Sequence, residues 1–185
     1  MRKVIFQMLI SLDGYYEGPD KKLDWHNTKG GFKAYEEELF NNADTLLFGR
    51  KTYELMQSFW PAAKAFELDP FVAGKMRDLQ KIVFSRTLNT VSWENTRLIR
   101  DNIKEEARHL KNMPGGNILL LASSGLALTF MDLNLIDEFH ILVNPVILGG
   151  GKTIFEGIQH RYLLQLINVR NFSSGNVLLC YKPKA

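Results

Sequence analysis

Apolar runs of strand length recur along the chain and alternate with segments of helical periodicity. The first, residues 4–10, is almost continuously apolar, which is typical of an inner strand covered on both faces. Two runs near the C-terminus are joined around Ser173-Ser174-Gly175, and this pattern predicts an antiparallel hairpin. The hairpin strands are residues 163–169 and 176–181, and the other predicted strands are residues 44–48, 81–84, a short one within 93–100, 117–122 and 138–148.

Between these strands, apolar residues recur every three or four positions, as on the buried face of an amphipathic helix. Residues 62–79 are weakly patterned and are expected to hold a turn or two of helix. The order of elements predicts an α/β fold with a mostly parallel sheet, helices on both faces and antiparallel strands at one edge. The predicted helices are residues 32–40, residues 50–60, a helix from an N-cap at Asp101 to Leu110, and a helix from Ser123 to Leu133.

The composition indicates a folded protein with a sizeable core. The chain has 185 residues, of which 45% are hydrophobic and 11% aromatic, and we expect one domain over residues 1–185. The formal net charge is +3, and the lysines and arginines form no block. This argues against a nucleic-acid partner and leaves a mild positive bias that suits an anionic small molecule.

No feature of the sequence indicates a membrane or a metal. No apolar run approaches membrane-spanning length, and Asp13 and Glu17 interrupt the N-terminal run without a cleavage site, so we expect a cytoplasmic protein. The single cysteine, Cys180, lies in an apolar run, which indicates a buried structural thiol. The four histidines show no ligand spacing.

The segment of residues 15–31 is long and irregular, with glycine and proline breakers and Trp25 as its one large apolar anchor. Long irregular segments in compact domains are often binding loops or lids. Trp25 could stack on a planar substrate or serve as an ordinary core anchor, and the sequence leaves both interpretations open.

Hydroxyls and cations follow three of the predicted strands. If the sheet is parallel, these strand ends lie side by side, where a helix N-terminus, arginines and hydroxyls together could hold phosphates. Basic residues beside strands are also common in proteins without any ligand there. The sequence therefore leaves open whether these segments bind phosphate or only flank the strands. The three segments are Gly49-Arg50-Lys51-Thr52, Ser85-Arg86 and Ser123-Ser124-Gly125.

Several segments resemble a known superfamily. Residues 48–54 resemble the Gly-Arg-x-Thr-aromatic-Glu segment of dihydrofolate reductases. Residues 11–14, 135–138 and 145–151 resemble the signature of the reductase domain of riboflavin biosynthesis. The whole chain is similar to bacterial stand-alone proteins of the dihydrofolate reductase family with a riboflavin-reductase C-terminal-type domain, and the resemblance implies a dihydrofolate reductase-like fold.

The resemblance implies NADPH as the cofactor and a homodimer as the assembly. For the homodimer we also expect apolar edge strands over residues 138–148 that need covering. By the same resemblance, the nicotinamide would lie beside Leu9, Ser11 and the Asp13-Gly14 turn. The phosphates would be held by Gly49, Arg50, Lys51 and Thr52, the adenosine 2′-phosphate by Ser85 and Arg86, and the diphosphate by Ser123, Ser124, Gly125 and Leu126.

The chain departs from dihydrofolate reductases in two places. They have two adjacent glycines at the diphosphate strand end, where this chain has Ala122-Ser123-Ser124-Gly125. They also carry an acidic residue early in the first helix, whereas residues 28–33 hold no carboxylate, and Asp24, just before Trp25, is early for that role. We therefore do not expect a folate reductase, and Asp24 and Trp25 remain the candidate substrate residues.

The sequence predicts an NADPH-dependent oxidoreductase that transfers a hydride to a small planar heterocycle or a related carbonyl or imine compound. Asp13 is the candidate proton donor, and its alternative role is to cap its own turn. Two other functions remain open: a non-catalytic NADP- or anion-binding module of the same fold, and 5-amino-6-(5-phosphoribosylamino)uracil reductase in riboflavin biosynthesis. For the latter, only Lys21-Lys22 offers a further phosphate cluster in the loop.

Overall fold

The computed structural model describes residues 1–184, and Ala185, the last residue of the predicted domain, lies outside the described residues. Its centre is an eight-stranded sheet in which the first six strands across are parallel and the last two are antiparallel, as predicted. The order across this sheet is β5 (Thr96–Ile99), β4 (Gln80–Phe84), β3 (Ala43–Gly49), β6 (Asn117–Leu121), β1 (Val4–Ser11), β7 (Glu138–Asn144), β10 (Val177–Pro183) and β9 (Leu164–Asn171).

Helices cover both faces of the sheet, as predicted, and each face has its own apolar core. One core is formed by α1, α2 and α4 against the sheet, the other by α5 and α6. No helix among residues 1–184 is long and apolar enough to cross a membrane. The helices are α1 (Phe32–Asn41), α2 (Arg50–Phe59), α3 (Ala63–Leu68), α4 (Pro70–Asp78), α5 (Ile103–Asn112) and α6 (Ser124–Asp132).

The predicted strand over residues 138–148 is wrong in its length and in its position. β7 ends at Asn144, because the chain turns away from the sheet at Pro145. It is also an inner strand, since β10 folds back beside it, and the free edges of the sheet are β5 and β9. The expectation that residues 138–148 form an edge in need of covering is therefore wrong, and β9 is the antiparallel edge.

Local chemistry explains three smaller differences. The weakly patterned stretch before β4 forms two helices, and the Asp69 carboxylate caps α4 by accepting from the Val72 N–H at 3.0 Å, with Pro70 at the first helical position. The N-cap of α5 is Asn102 rather than Asp101. The irregular segment contains β2 (Tyr15–Glu17), which pairs with β8 (Lys152–Thr153).

Candidate functional site

The carboxyl ends of the parallel strands form one edge of the sheet, and the predicted phosphate segments lie there. The strands β4, β3 and β6 are direct neighbours. The segments that follow them therefore lie side by side, as the sequence predicted. Ligands of open α/β sheets bind at this edge.

The starts of α2 and α6 are joined by a hydrogen bond. The Gly49 N–H donates to the Ser123 hydroxyl at 3.0 Å, and a Cβ on Gly49 would lie 3.6 Å from the Leu126 Cβ. Neither helix has a side-chain cap or an acidic residue in its first turn. By contrast, α5 begins with Glu105 and Glu106. The first N–H groups of α2 and α6 are thus available to an anion, and both helix dipoles favour one.

Two residues at the end of β6 adopt a backbone conformation that favours glycine. Ala122 and Ser123 have φ of 50° and 52°, in the left-handed region. This is the place where the resemblance implies two glycines. The backbone here has the conformation of a glycine pair although neither residue is glycine, so it is locally strained. Strained backbone tends to be retained at functional sites.

The predicted cations follow two of these strands, with Arg50 and Lys51 on α2 after β3 and Arg86 after β4. Arg50 lies 3.1 Å from the Glu54 carboxylate, one turn along α2. Lys51 is exposed and Thr52 is half-buried. Arg86 is exposed, and its Nε lies 3.9 Å from the Asp101 carboxylate.

Two more residues define the outer end of this edge. The Ser85 hydroxyl accepts from the N–H groups of Thr87 and Leu88 at 3.2 and 3.1 Å, so it caps the turn after β4. Sequence reasoning missed Arg100, which follows β5 beside β4 and donates to the Asn89 carbonyl at 2.8 Å. The signal was present, since Arg100 is a cation at a strand end like the others.

At the other end of the edge, β1 and β7 place Ser11 opposite Asn144. Leu9 is half-buried, and Ser11 is fully buried, with its hydroxyl accepting from the Tyr15 N–H at 2.9 Å. Asn144 is also fully buried, and its amide donates to the Ile10 carbonyl at 3.2 Å. Asn144 was missed because an asparagine at a strand end reads as a simple turn residue.

Asp13 ties the turn after β1 to the glycine-rich loop after β7. Its carboxylate accepts from the N–H groups of Leu148 and Gly149 at 3.1 and 2.8 Å. The pKa of the Asp13 carboxyl lies below its usual range, mainly because of the hydrogen bond from the Ser11 hydroxyl and also because of these N–H groups. An ionised acceptor does not suit a proton donor, and these N–H partners belong to the loop after β7 rather than to the turn of Asp13 itself.

The substrate candidates lie in the loop between β2 and α1. Asp24 is exposed, and Trp25 is half-buried and donates from its indole to the Lys22 carbonyl at 3.2 Å. The Trp25 ring packs edge-on against His26 with 4.4 Å between ring centres. Burial lowers the pKa of His26 to about 4, so its imidazole is neutral at pH 7.

A third missed residue, Tyr16, contacts the diphosphate segment from β2. Its hydroxyl lies 3.0 Å from the Ser124 hydroxyl, at the first position of α6. β2 is only three residues long, so no periodic pattern could reveal it. Tyr16 therefore joins the small β2–β8 sheet to the anion-facing helix start.

Comparisons with solved structures agree with this architecture. A protein from Shewanella sp. PV-4, named as a candidate riboflavin biosynthesis protein, superposes with a TM-score of 0.76 at 25% identity and 99% coverage of both chains. A Thermotoga maritima deaminase/5-amino-6-(5-phosphoribosylamino)uracil reductase gives 0.70 at 17% identity, covering 99% of this chain and 57% of that one. Dihydrofolate reductase from Enterococcus faecalis gives 0.63 at 14% identity, with 99% and 97% covered. The fold is therefore dihydrofolate reductase-like, as predicted.

Sequence comparison identifies the family within this fold. YyaP of Bacillus subtilis strain 168, an uncharacterised protein, is 35% identical over 182 residues, which cover 97% of this chain and 94% of YyaP. The profile described as RibD C-terminal domain matches residues 2–178. The chain therefore belongs to the RibD C-terminal domain family.

Proposed function

We propose that the protein is an NADPH-dependent oxidoreductase that reduces a small planar heterocycle or a related compound. The observation that carries the proposal is the pair of uncapped, acid-free helix starts of α2 and α6, held together by the bond from Gly49 to Ser123. Such a pair suits a diphosphate, because each helix start presents N–H donors and a positive dipole end. The surrounding cations suit a further phosphate.

The residues present fit this cofactor. The N–H groups of Ser124, Gly125 and Leu126 would hold the diphosphate, together with the start of α2 at Gly49 and Arg50. The Arg50 guanidinium would meet the 2′-phosphate of the adenosine, with Lys51, Thr52, Arg86 and Arg100 around it. Leu9 and Ser11, on β1, would border the nicotinamide.

The chain's own residues have modest chemical tasks in such a reaction. NADPH, when bound, supplies the hydride, and the protein aligns the reactants and excludes water. The buried pair of Ser11 and Asn144 fixes the end of β1, and Asp13 holds the glycine-rich loop beside it. Trp25 and Asp24 form the substrate side, where the Trp25 ring offers a stacking surface.

Relatives and neighbours support a reductase without naming its substrate. The Thermotoga protein is named as a 5-amino-6-(5-phosphoribosylamino)uracil reductase. We therefore include 5-amino-6-(5-phosphoribosylamino)uracil among the candidate substrates of the present chain. A binding module that lacks turnover is the alternative, motivated by the missing pterin carboxylate and the Ala122-Ser123 departure.

Oxidation of NADPH, followed by its absorbance with a panel of substrates, tests the proposal. The panel holds pterins, 5-amino-6-(5-phosphoribosylamino)uracil and its dephosphorylated form, and quinonoid compounds. We expect turnover of at least one planar heterocycle. Saturable NADPH binding with no turnover of any compound would instead favour the binding module.

The buried free thiol of Cys180 is in keeping with our proposal that the protein works in the reducing cytoplasm.

We further propose that two copies associate through the face of β9 and β10 that lies on the α6 side. Leu166 and Val169 are 49% and 44% exposed there. Residues 163–169 carry no charged side chain. A two-fold contact places a surface against itself, so an uncharged apolar patch meets its copy without like-charge repulsion. Edge strands of this kind are covered in native proteins.

The homodimer proposal predicts that Leu166→Asp combined with Val169→Asp yields a monomer. Analytical ultracentrifugation should find wild type at twice the chain mass and the variant at the chain mass, because four carboxylates would then face one another. Leu68→Asp is the matched control, since Leu68 is 72% exposed on α3, and it should remain dimeric. A monomeric wild type, or a dimeric variant, contradicts the proposal.

A further inference from the structure

Two tyrosine hydroxyls contact helix α6, one at each end. The Tyr16 hydroxyl lies 3.0 Å from the Ser124 hydroxyl, at the first residue of the helix. The Tyr162 hydroxyl donates to the Asp132 carboxylate at 2.9 Å, at the last residue of the same helix. Because the N-terminal end of a helix dipole favours an anion, Tyr16 is the one of the two placed to meet an anion.

The backbone of Tyr16 is fixed on both sides. The Tyr15 N–H donates to the buried Ser11 hydroxyl at 2.9 Å, which ties the start of β2 to the end of β1. On the other side, a Cβ on Gly151 would overlap the Glu17 carbonyl oxygen, and the φ of Gly151 is +130°. Only glycine permits this close approach, so the glycine-rich loop also holds Tyr16 in place.

The side chain of Tyr16 is directed by an irregularity in the small sheet. The register of the β2–β8 pair shifts between Tyr15 and Glu17, with Tyr16 between them. Irregularities of this kind re-aim a side chain and are frequent beside active sites. The half-buried Tyr16 ring packs against the apolar core on the α5–α6 side of the main sheet. The hydroxyl is therefore held in position at the start of α6 before any ligand binds, which lowers the entropy cost of a contact.

The hydroxyls of Tyr16 and Ser124 can donate more than their mutual contact uses. Each hydroxyl carries a single proton, and the hydrogen bond between the two oxygens engages the proton of only one of them. In the free protein the other proton can bind water. A phosphate oxygen is a stronger acceptor because it is charged, and the N–H groups at the start of α6 would hold a phosphate beside this hydroxyl pair.

We propose that the Tyr16 hydroxyl donates a hydrogen bond to the diphosphate of the bound cofactor. This inference rests on the proposed function, and it adds a side-chain donor from the β2–β8 sheet to the N–H groups of the two helix starts. NADPH and NADH carry the same diphosphate, so Tyr16 contributes to the binding of both. Its role thereby differs from that of Arg50, which distinguishes between the two cofactors.

Fluorescence titration of Tyr16→Phe with NADPH and with NADH tests the contact without any substrate. The substitution removes one oxygen atom and keeps the ring in the core. We expect the affinity for both cofactors to fall by the same factor, about three- to tenfold, because a charged hydrogen bond is lost. Tyr162→Phe is the matched control, since it removes the same atom at the opposite end of α6, and it should bind both cofactors as wild type does. A loss for NADPH alone would place Tyr16 at the 2′-phosphate and overturn the proposal.

A double-mutant cycle with Ser124→Ala separates a direct contact from an effect that acts through Ser124. If Tyr16 itself donates to the diphosphate, Tyr16→Phe should weaken cofactor binding in the Ser124→Ala protein as well. Unchanged or tighter binding by Tyr16→Phe, or an effect that vanishes in the Ser124→Ala protein, would overturn the proposal for Tyr16 and leave the cofactor proposal standing. Failure of the wild-type protein to bind either cofactor would instead contradict the proposed function, and the Tyr16 contact with it.

Discussion

We expect Arg50→Ala to weaken NADPH binding by about ten- to a hundredfold, and NADH binding less. The magnitude follows from a charged hydrogen bond, worth roughly 1.5–3 kcal/mol, with about 1.4 kcal/mol for each tenfold change in affinity. Arg50 is the first residue of α2, where its planar guanidinium can meet a phosphate bidentately. Its present partner is the exposed Glu54 carboxylate at 3.1 Å, an exchangeable surface contact.

Fluorescence titration of both cofactors with wild type and Arg50→Ala measures this effect. Arg77→Ala is the matched control, because Arg77 pairs with Asp78 near the end of α4, away from the carboxyl edge. It should bind both cofactors as wild type does. Equal losses of affinity for NADPH and NADH in Arg50→Ala would show that Arg50 contacts only the diphosphate. Arg86 and Arg100 would then be the residues that bind the 2′-phosphate.

The largest effect on stability is expected from Lys81→Met. Lys81 lies on β4, is fully buried, and donates to the carbonyls of Met76, Arg77 and Leu79 at 2.8, 3.0 and 2.8 Å. Its ammonium thus satisfies the last carbonyls of α4 and lies 4.8 Å from the centre of the Trp93 ring. Methionine keeps the volume but leaves those carbonyls without a donor.

We expect Lys81→Met to lower the free energy of unfolding by about 3 kcal/mol, since buried acceptors lose charged hydrogen bonds. For a chain of this size, that corresponds to a fall in Tm of roughly 6–12 °C. Thermal melts followed by circular dichroism measure it, with Lys64→Met on the exposed side of α3 as the control. An unchanged Tm would mean that water replaces the ammonium at the end of α4.

The sequence predicted those parts of the fold that depend on local pattern. Continuous apolar runs gave the parallel inner strands, and the hydroxyl- and cation-bearing residues after β3, β4 and β6 predicted their common edge. These inferences hold because parallel strands are covered on both faces and all end on the same side. The position of β10 between β7 and β9 was missed, since antiparallel pairing between distant segments leaves no local signature.

The site was predictable only where side-chain type signals chemistry. Arginines and serines at strand ends were visible, whereas the positive φ of Ala122 and Ser123 was not, because neither residue is a glycine. The role of Asn144 depends on a contact with Asn27 across the fold. Asp13 shows the limit most plainly, since its residue type suits a proton donor, whereas its two backbone N–H partners belong to the glycine-rich loop after β7.

Binding of NADPH to the wild-type protein is the most direct test of the central proposal. Fluorescence titration of the unliganded chain should show saturable binding in the micromolar range, tighter for NADPH than for NADH, because the edge at β3, β4 and β6 combines two helix starts with several cations. Absence of binding at high micromolar NADPH would contradict the account.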